Sequence, residues 1–285
     1  MKDSKQSEFL LNPDPDNTRN IEDVHISAVI VTYNEAQYLP ECISRLDFCD
    51  DIIVVDIGCT DNSVEVAREN GAKVLEHPWV PFAEKAWEDA CRHTNNDWIV
   101  FVSPDLYLPE NMGVRIKSMI ARYDNTGLGA VYLPLATGFG GKVLRYGQKG
   151  GTRVYRALAH RERNHFKGYV HHRGDVLKEG YFSLCLLRQK NEAIFHDWVD
   201  GYMDMVDKAR RYLPFEAESR LGVGRHFSWK SMFREIARSL KRDLVKKAFR
   251  EWPAVQVMLF QLWYYWKANM ALRKEEKRLL RGNNV

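Results

Sequence analysis

The chain has 285 residues, of which 45% are hydrophobic and 28% are charged, so it can bury a globular core and is not of the disordered class. Its formal net charge of +4 is too small to indicate nucleic-acid binding, and we expect no nucleic-acid partner. The five cysteines include no CxxC pair, which argues against a zinc knuckle or a disulfide frame and favours a reduced compartment.

The first 24 residues are polar and lack the apolar core of a signal peptide. We expect them to form a poorly ordered tail. No segment of the sequence reaches the roughly 18 to 20 uninterrupted apolar residues that a membrane-spanning helix needs. These features predict a cytoplasmic protein, with any membrane contact being peripheral.

Seven elements alternate between strand and helix after this tail. Runs rich in isoleucine and valine predict strands that are buried on both faces of a parallel sheet. The predicted elements are strand 26–32, helix 36–46, strand 51–56, helix 62–70, strand 73–76, helix 85–93 and strand 97–102. This alternation predicts an α/β protein with a doubly wound, mostly parallel sheet and helices on both faces.

Three loops follow the carboxyl ends of the predicted strands, where ligands of such sheets bind. They comprise residues 33–35, 56–61 and 103–105. Ionised aspartates at strand ends suit ribose hydroxyls and base N–H groups, because a carboxylate accepts several hydrogen bonds. Asp56 and Asp61 stand at such positions, although Asp61 is equally suited to cap the helix that follows it.

The pattern loosens after Asp105. Two further strands, 130–135 and 152–156, flank a glycine-rich loop at 138–151 that carries several basic residues. Beyond residue 196 the sequence becomes helical. We place a catalytic domain at 25–220 and a basic, aromatic-rich helical extension at 221–285.

The extension contains a basic amphipathic segment. Residues 228–250 hold eight basic and two acidic side chains, with apolar residues at helical spacing, and 252–266 is dense in aromatics. Such a segment suits an anionic membrane surface, with aromatics at the bilayer interface. The alternative is an ordinary helix that packs on the catalytic domain and exposes a solvated basic face.

Three sequence motifs resemble the nucleotide-binding half of family 2 glycosyltransferases: VIVTYNE at 29–35, IVVDIGCTD at 53–61 and DWIVFVSPD at 97–105. The resemblance implies a GT-A fold and an inverting, hexosyltransferase-like enzyme. By this resemblance Thr32, Asn34 and Glu35 line the pocket for base and ribose, and Asp56 faces the base. Lys85 would lie near the phosphates, where an ammonium stabilises departing charge.

The metal motif departs from that family. The usual Asp-X-Asp is replaced by Ser103-Pro104-Asp105, which leaves Asp105 as the one predicted ligand for Mg²⁺ or Mn²⁺. Ser103 would still belong to the donor site. The alternative is a weaker or absent need for metal, with cationic side chains compensating: Lys85, Arg145, Lys149 or Arg153.

A second departure lies in FKGYVHH at 166–172, which resembles a segment that reads Gly-X-Val-His-Glu in the lipopolysaccharide core biosynthesis glucosyltransferase-like subgroup. His172 replaces the glutamate and is a candidate general base, since a neutral imidazole accepts a proton near pH 7. Asp175 is a rival base. His171 would hold phosphate or orient the loop, and a structural role for both histidines stays open.

Two further segments resemble the same subgroup, FHDW at 195–198 and YMDMVDKARRY at 202–212. The second would contact acceptor or diphosphate through Lys208, Arg210 or Arg211. Surface charges on an amphipathic helix are the alternative for these cations.

The resemblance implies direct transfer of sugar from a nucleotide-sugar, with a UDP-sugar as the first expectation. The acceptor would be a lipid-linked or envelope glycan, similar to lipopolysaccharide core, at the inner face of the cytoplasmic membrane. A degenerate GT-A module that binds nucleotide or a partner protein without catalysis is the alternative. The sequence indicates neither the sugar nor the oligomeric state.

Overall fold

The computed structural model describes residues 18–166, 175–186 and 192–282. Its helices are α1 (Leu39–Ser44), α2 (Ser63–Glu69), α3 (Trp87–Arg92), α4 (Met112–Tyr123), α5 (Tyr202–Gly222), α6 (Trp229–Val245) and α7 (Trp252–Gly282). Its strands are β1 (Ile26–Thr32), β2 (Asp51–Asp56), β3 (Lys73–Glu76), β4 (Trp98–Val102), β5 (Leu106–Tyr107), β6 (Leu128–Phe139), β7 (Lys142–Val143), β8 (Thr152–His160), β9 (Asn164–Phe166), β10 (Asp175–Leu177), β11 (Phe182–Cys185) and β12 (Ile194–His196).

The central sheet is mixed, with strand order β3-β2-β1-β4-β8-β6-β12-β5. Strands β3, β2, β1 and β4 are parallel, and β8 then runs antiparallel to both β4 and β6. The parallel half corresponds to the regular alternation in the sequence, and the antiparallel strands begin where that alternation stops. The architecture is therefore α/β, as predicted.

The register of the parallel strands brings the predicted ligand loops together. Thr32 is the partner of Asp56 across β1 and β2, and Ile30 is the partner of Val102 across β1 and β4. The loops that begin after these strands therefore leave the sheet at the same edge. Every residue of β1 is buried, so the strand is held in the interior and the start of the loop that follows it has a fixed position.

Helix α4 was not predicted, although its sequence carries a helical signal. Met112, Ile116 and Ile120 recur every four residues and are all buried. Gly113 permits close packing on this helix, since an added Cβ would lie 2.4 Å from the Phe48 ring. The helix predicted over 85–93 is also shorter than expected, because Lys85 lies in a separate 3-10 turn.

Two of the three C-terminal helices pack against the sheet through a hydrophobic cluster. It joins α5, α7 and the end of β6, with members that include Met205, Val206, Val257, Phe260 and Phe139. The boundary predicted at residue 221 falls inside α5 and stays a prediction. No helix among the described residues is long and apolar enough to cross a membrane.

The described part of the predicted N-terminal tail is packed against the domain. Val24 is fully buried, and Arg19 forms an ion pair of 2.5 Å with Asp124. Residues 1–17 of the tail lie outside the described residues.

Candidate functional site

A cavity of about 480 Å³ opens at the edge of the sheet where the predicted ligand loops meet. Its wall combines the first and third of those loops with α5 and with residues 197–200, which follow β12. The lining residues are Glu35, Tyr38, Asp105, Asp197, Trp198, Val199, Asp200, Asp204, Asp207, Lys208 and Arg211. Six of these side chains are acidic and two are basic, so the cavity as a whole favours a ligand that brings positive charge.

Asp105 is buried in the wall of this cavity. Its Oδ2 lies 3.3 Å from the Nε2 of His196 and 3.3 Å from the Nζ of Lys208. Burial alone would raise the pKa of Asp105, but hydrogen bonding and attraction from His196 and Lys208 hold it below its usual value. Asp105 is therefore ionised at neutral pH.

The other oxygen of Asp105 is available for a ligand. Oδ1 is buried and has no hydrogen-bond partner within the described ranges. A buried carboxylate oxygen without a partner is costly, so this atom is suited to accept a cation or a donor group from a bound molecule.

Glu35 faces the same cavity. Burial, followed by the charge of Asp105, raises the pKa of Glu35 from 4.5 to about 7. Lys208 opposes the shift. The charge of Glu35 consequently changes near neutral pH.

Replacing Glu35 with glutamine should make the protein more stable at about pH 8 than the wild type, with little difference at about pH 5. Between 4.5 and about 7 the folded chain binds the Glu35 proton more tightly than the unfolded chain, so wild-type stability falls as pH rises through this window. The gain at high pH is at most about 3 kcal/mol. Urea unfolding at both pH values measures it.

Glu69→Gln changes an exposed glutamate of α2 and is the control for loss of a surface charge. An equal stability difference for Glu35→Gln at both pH values would show that Glu35 does not titrate in this window.

Asn34 joins the first two ligand loops. Its φ of 57° is left-handed, a conformation that asparagine tolerates better than most residues. Its Oδ1 accepts hydrogen bonds from the backbone nitrogens of Thr60 and Asp61, at 2.7 and 3.3 Å. Asn34 thus holds the loop after β2 in place.

The two aspartates of the second loop accept hydrogen bonds that fix this loop and its neighbours. Asp56 accepts from the backbone nitrogens of Gly58 and Cys59 with one oxygen, at 3.0 and 2.7 Å. Asp61 accepts from Ser63 with Oδ1 and from the nitrogen of Ala36 with Oδ2. The geometry of Asp61 agrees with the structural alternative, since both of its oxygens fix loops around the start of α2.

Three other donor-site candidates lie away from the cavity wall. The Lys85 ammonium lies 5.3 Å from the ring centroid of Phe82 and 5.9 Å from that of Phe215, a cation–π arrangement. The Thr32 hydroxyl is buried without a partner in the described chain. Ser103 contributes its backbone oxygen, which accepts from the nitrogen of Leu106 at 3.0 Å.

The basic candidates of the glycine-rich loop and β8 separate into two environments. The Arg145 side chain is exposed. Lys149 and Arg153 are half-buried, with the Lys149 Nζ 4.8 Å from the ring centroid of Trp198 and Arg153 donating to the Thr137 hydroxyl at 2.7 Å. Trp198 is part of the cavity wall, so Lys149 lies next to the cavity.

Residues 27–194 match the family model described as glycosyl transferase family 2. The chain belongs to this family. The match confirms the resemblance given by the motifs at the ends of β1, β2 and β4, and with it the predicted GT-A class and glycosyltransferase assignment.

Curated relatives of this family 2 glycosyltransferase are similar over about a third of their length. An "Uncharacterized glycosyltransferase" of Rickettsia felis is 34% identical over 102 residues, 35% of each chain. The lipopolysaccharide core biosynthesis glycosyltransferase LpsC of Rhizobium meliloti is 25% identical over 121 residues, 40% of this chain and 44% of LpsC.

Among solved structures, glucosyl-3-phosphoglycerate synthase of Mycobacterium tuberculosis in complex with Mn²⁺, UDP and phosphoglyceric acid is 22% identical, with a TM-score of 0.33 over 42% of this chain and 48% of that one. The same enzyme with Mn²⁺, UDP and glucosyl-3-phosphoglycerate is 16% identical, with a TM-score of 0.43 over 70% and 80%.

Few of the described side chains are placed to bind the divalent cation predicted for this family 2 glycosyltransferase. In the part of the chain that the structure describes, no group of three or more His, Cys, Asp or Glu side chains is arranged to hold a metal ion. Asp105 nevertheless fits the mode in which one carboxylate and the substrate phosphates share the cation, because its Oδ1 is buried and has no partner in the described part of the chain.

The predicted general bases cannot be placed in the site. His171 and His172 lie outside the described residues, and of Asp175 only the backbone is described, at the start of β10 beside Phe166. The structure instead brings in His196 and Asp197, to which the sequence assigned no role. Both residues belong to the FHDW motif, whose sequence indicates only a family resemblance. Their contact with Asp105 depends on the pairing of His196 with Leu106 across β12 and β5.

Proposed function

We propose that this protein transfers a sugar from a nucleotide-sugar, a UDP-sugar first among donors, to an acceptor hydroxyl with inversion. The observation that carries the proposal is Asp105, an ionised buried carboxylate with one oxygen that has no partner among the described residues. It shares a cavity with Lys208 and Arg211 at the ligand edge of the sheet. Such a site can neutralise a departing diphosphate.

The two cations, Lys208 and Arg211, and the acidic side chains of the cavity wall have different roles. Lys208 is held by Asp105 and by the backbone oxygen of Trp198, so its ammonium is fixed in orientation, and Arg211 adds a second positive charge. The excess of carboxylates would repel a diphosphate that carries no cation. This favours a donor whose diphosphate binds together with Mg²⁺ or Mn²⁺, with Asp105 as the protein ligand of the cation. The cation would supply Lewis-acid stabilisation of the leaving group.

The acceptor hydroxyl needs a base at the opposite side of the sugar. By family resemblance His172 or Asp175 would serve, with His171 orienting the loop. Asp197 is an alternative inside the cavity, where burial, and then the charges of Asp200 and Asp105, raise its pKa. A raised pKa makes a carboxylate a better proton acceptor near neutral pH.

A calorimetric titration with UDP, GDP, ADP and CMP, with and without Mg²⁺ or Mn²⁺, tests the donor site. We expect one nucleotide, UDP first, to bind and to need the cation. Binding without hydrolysis or transfer of any sugar would support the degenerate module. Failure of all four nucleotides to bind would overturn the donor proposal.

A lipid-linked or envelope glycan, similar to lipopolysaccharide core, is the acceptor class that we propose. The name of the LpsC relative supports it. The distribution of apolar side chains on the C-terminal helices gives independent support, because it suits work at a membrane surface.

These helices present exposed aromatics beside basic residues. Phe233, Phe249 and Trp252 are 57%, 63% and 68% exposed, whereas Met232 on the same amphipathic segment is fully buried. The apolar stripe of α6 is therefore only partly used for packing. Apolar groups in such a basic setting suit the anionic inner face of the cytoplasmic membrane, and we propose peripheral contact there.

Flotation with vesicles that contain about a third phosphatidylglycerol tests this contact. We expect the wild type to float and Phe249→Ser/Trp252→Ser to float at least about fivefold less, because each exposed ring contributes roughly 1 kcal/mol or more on insertion. Val114→Ser removes an apolar side chain that is 66% exposed on α4 and should float like the wild type. Equal flotation of all three proteins would contradict docking through this surface.

A further inference from the structure

A pair of half-buried cations lies behind the wall of the cavity. Lys149 comes from the glycine-rich loop and Arg153 from β8. The Lys149 ammonium faces the ring of Trp198 at 4.8 Å. The Arg153 guanidinium donates to the Thr137 hydroxyl, and its Nε is buried with no partner among residues 18–166, 175–186 and 192–282.

Neither cation is neutralised by the protein as described. Within those ranges no acidic side chain forms an ion pair with Lys149 or Arg153. Burial, and then the charge of Arg153, lowers the pKa of Lys149 to about 7, and burial also lowers the pKa of Arg153. Two like charges held in a poorly solvated place are unfavourable unless an anion joins them.

The pair lies at the ligand edge of the sheet. Arg153 is the partner of Leu135 across β8 and β6, and Thr137, to which Arg153 donates, is the partner of His196 across β6 and β12. His196 in turn contacts Asp105. A short chain of contacts thus connects Arg153 to the cavity, while Lys208 and Arg211 face into the cavity itself.

The loop that carries Lys149 is fixed by the C-terminal helices. Asp243, fully buried in α6, accepts from the backbone nitrogen of Gln148 at 2.7 Å and from its side-chain nitrogen at 2.6 Å. The Gln148 amide also donates to Gln261 of α7 at 2.7 Å. Lys149 is therefore presented by a braced loop, so little ordering is needed when a ligand arrives.

We propose that Lys149 and Arg153 form an oxyanion subsite that binds a phosphate group of the acceptor. The proposal rests on the proposed transfer function, because it needs an acceptor that reaches the cavity. Lys208 and Arg211 are the cations inside the cavity and suit the donor diphosphate, which leaves the pair behind Trp198 for a second anion. A phosphorylated acceptor is the substrate class with which such a subsite is complementary.

Inorganic sulfate is the probe, since its charge is constant between about pH 6 and pH 8. We expect saturable binding to the full chain in the presence of saturating UDP and Mg²⁺. Lys149→Gln and Arg153→Gln should each weaken it by about tenfold or more, and Lys142→Gln, an exposed lysine of the same loop, should leave it unchanged. Wild-type affinity should fall as pH rises past the Lys149 pKa of about 7.

Thermal unfolding separates loss of the subsite from loss of the fold. Lys149→Gln removes a half-buried charge that has no acidic partner among the described residues, so we expect it to be at least as stable as the wild type. Arg153→Lys, which keeps the charge but loses the planar fork, should bind sulfate with intermediate affinity.

Displacement of sulfate by UDP would assign the pair to the donor diphosphate and overturn the proposal. Equal affinity in the wild type, Lys149→Gln and Arg153→Gln, or no saturable binding, would overturn it as well. Sulfate is also titrated without nucleotide. Failure of UDP to bind would contradict the donor proposal, and the sulfate affinities of the wild type and the Lys149 and Arg153 variants would still test the subsite.

Discussion

Asp105→Asn is expected to reduce sugar transfer by roughly 100- to 1000-fold, the usual loss when one preorganised electrostatic group is removed from an active site. The substitution keeps the shape of the side chain and removes its charge. The Oδ1 position, which has no partner within residues 18–166, 175–186 and 192–282, would no longer attract a cation. His196 and Lys208 would lose their shared anion. Turnover of the UDP-sugar and calorimetric binding of UDP with Mg²⁺ are both measured.

His196→Gln is the matched control for this variant. It removes one partner of Asp105 Oδ2, at 3.3 Å, and leaves both the charge of Asp105 and its Oδ1 in place. We expect a smaller loss, about tenfold, with UDP binding retained. If Asp105→Asn stayed folded by thermal unfolding and kept transfer within about tenfold of the wild type, Asp105 would not be the electrostatic centre of the site.

The parallel half of the sheet could be predicted from the sequence because its signals are local. The bounds of β1, β2 and β3 agree with the prediction residue for residue. The signal is clearest in β1 and β2, which are short runs rich in isoleucine and valine. The rule that ligands lie at the carboxyl ends of parallel strands then selected the loops of Glu35 and Asp105. Both residues line the cavity.

The other half of the site depends on contacts between distant residues. His196 reaches Asp105 through an antiparallel pairing of two short strands, and Lys208 reaches it from α5, 103 positions away. Lys208 and Arg211 were candidates by resemblance alone. A sequence pattern gives no measure of such distances, which is why the sequence leaves Asp61 between a ligand role and a structural one.

The C-terminal helices are joined by a buried ion-pair network near residue 221, the predicted boundary between the catalytic domain and the helical extension. Arg220, which is 4% exposed, pairs with Glu216 at 2.9 Å inside α5 and with Glu235 of α6 at 3.0 Å. The Tyr264 hydroxyl of α7 donates to the same Glu216. One buried network therefore holds all three C-terminal helices together at the predicted boundary.

Arg220→Met should lower the free energy of unfolding by about 3 to 5 kcal/mol, because it leaves the buried Glu216 carboxylate without its counter-charge. For a chain of this size that is a fall in Tm of about 10 °C. Arg225→Met is the control: Arg225 is 53% exposed and lies 3.7 Å from Glu235, so the expected change is below about 1 kcal/mol.

The form of the transition distinguishes one folded unit from two. The hydrophobic cluster that joins α5 and α7 to β6 predicts that Arg220→Met and the wild type both unfold in a single step, with circular dichroism and tryptophan fluorescence coincident. Because the braced loop of Lys149 depends on α6 through Asp243, sulfate binding should be lost in that same single transition, at a lower temperature in Arg220→Met than in the wild type. Two separate transitions, with sulfate binding unaffected, would instead show that the helices from residue 221 onward fold independently of the site.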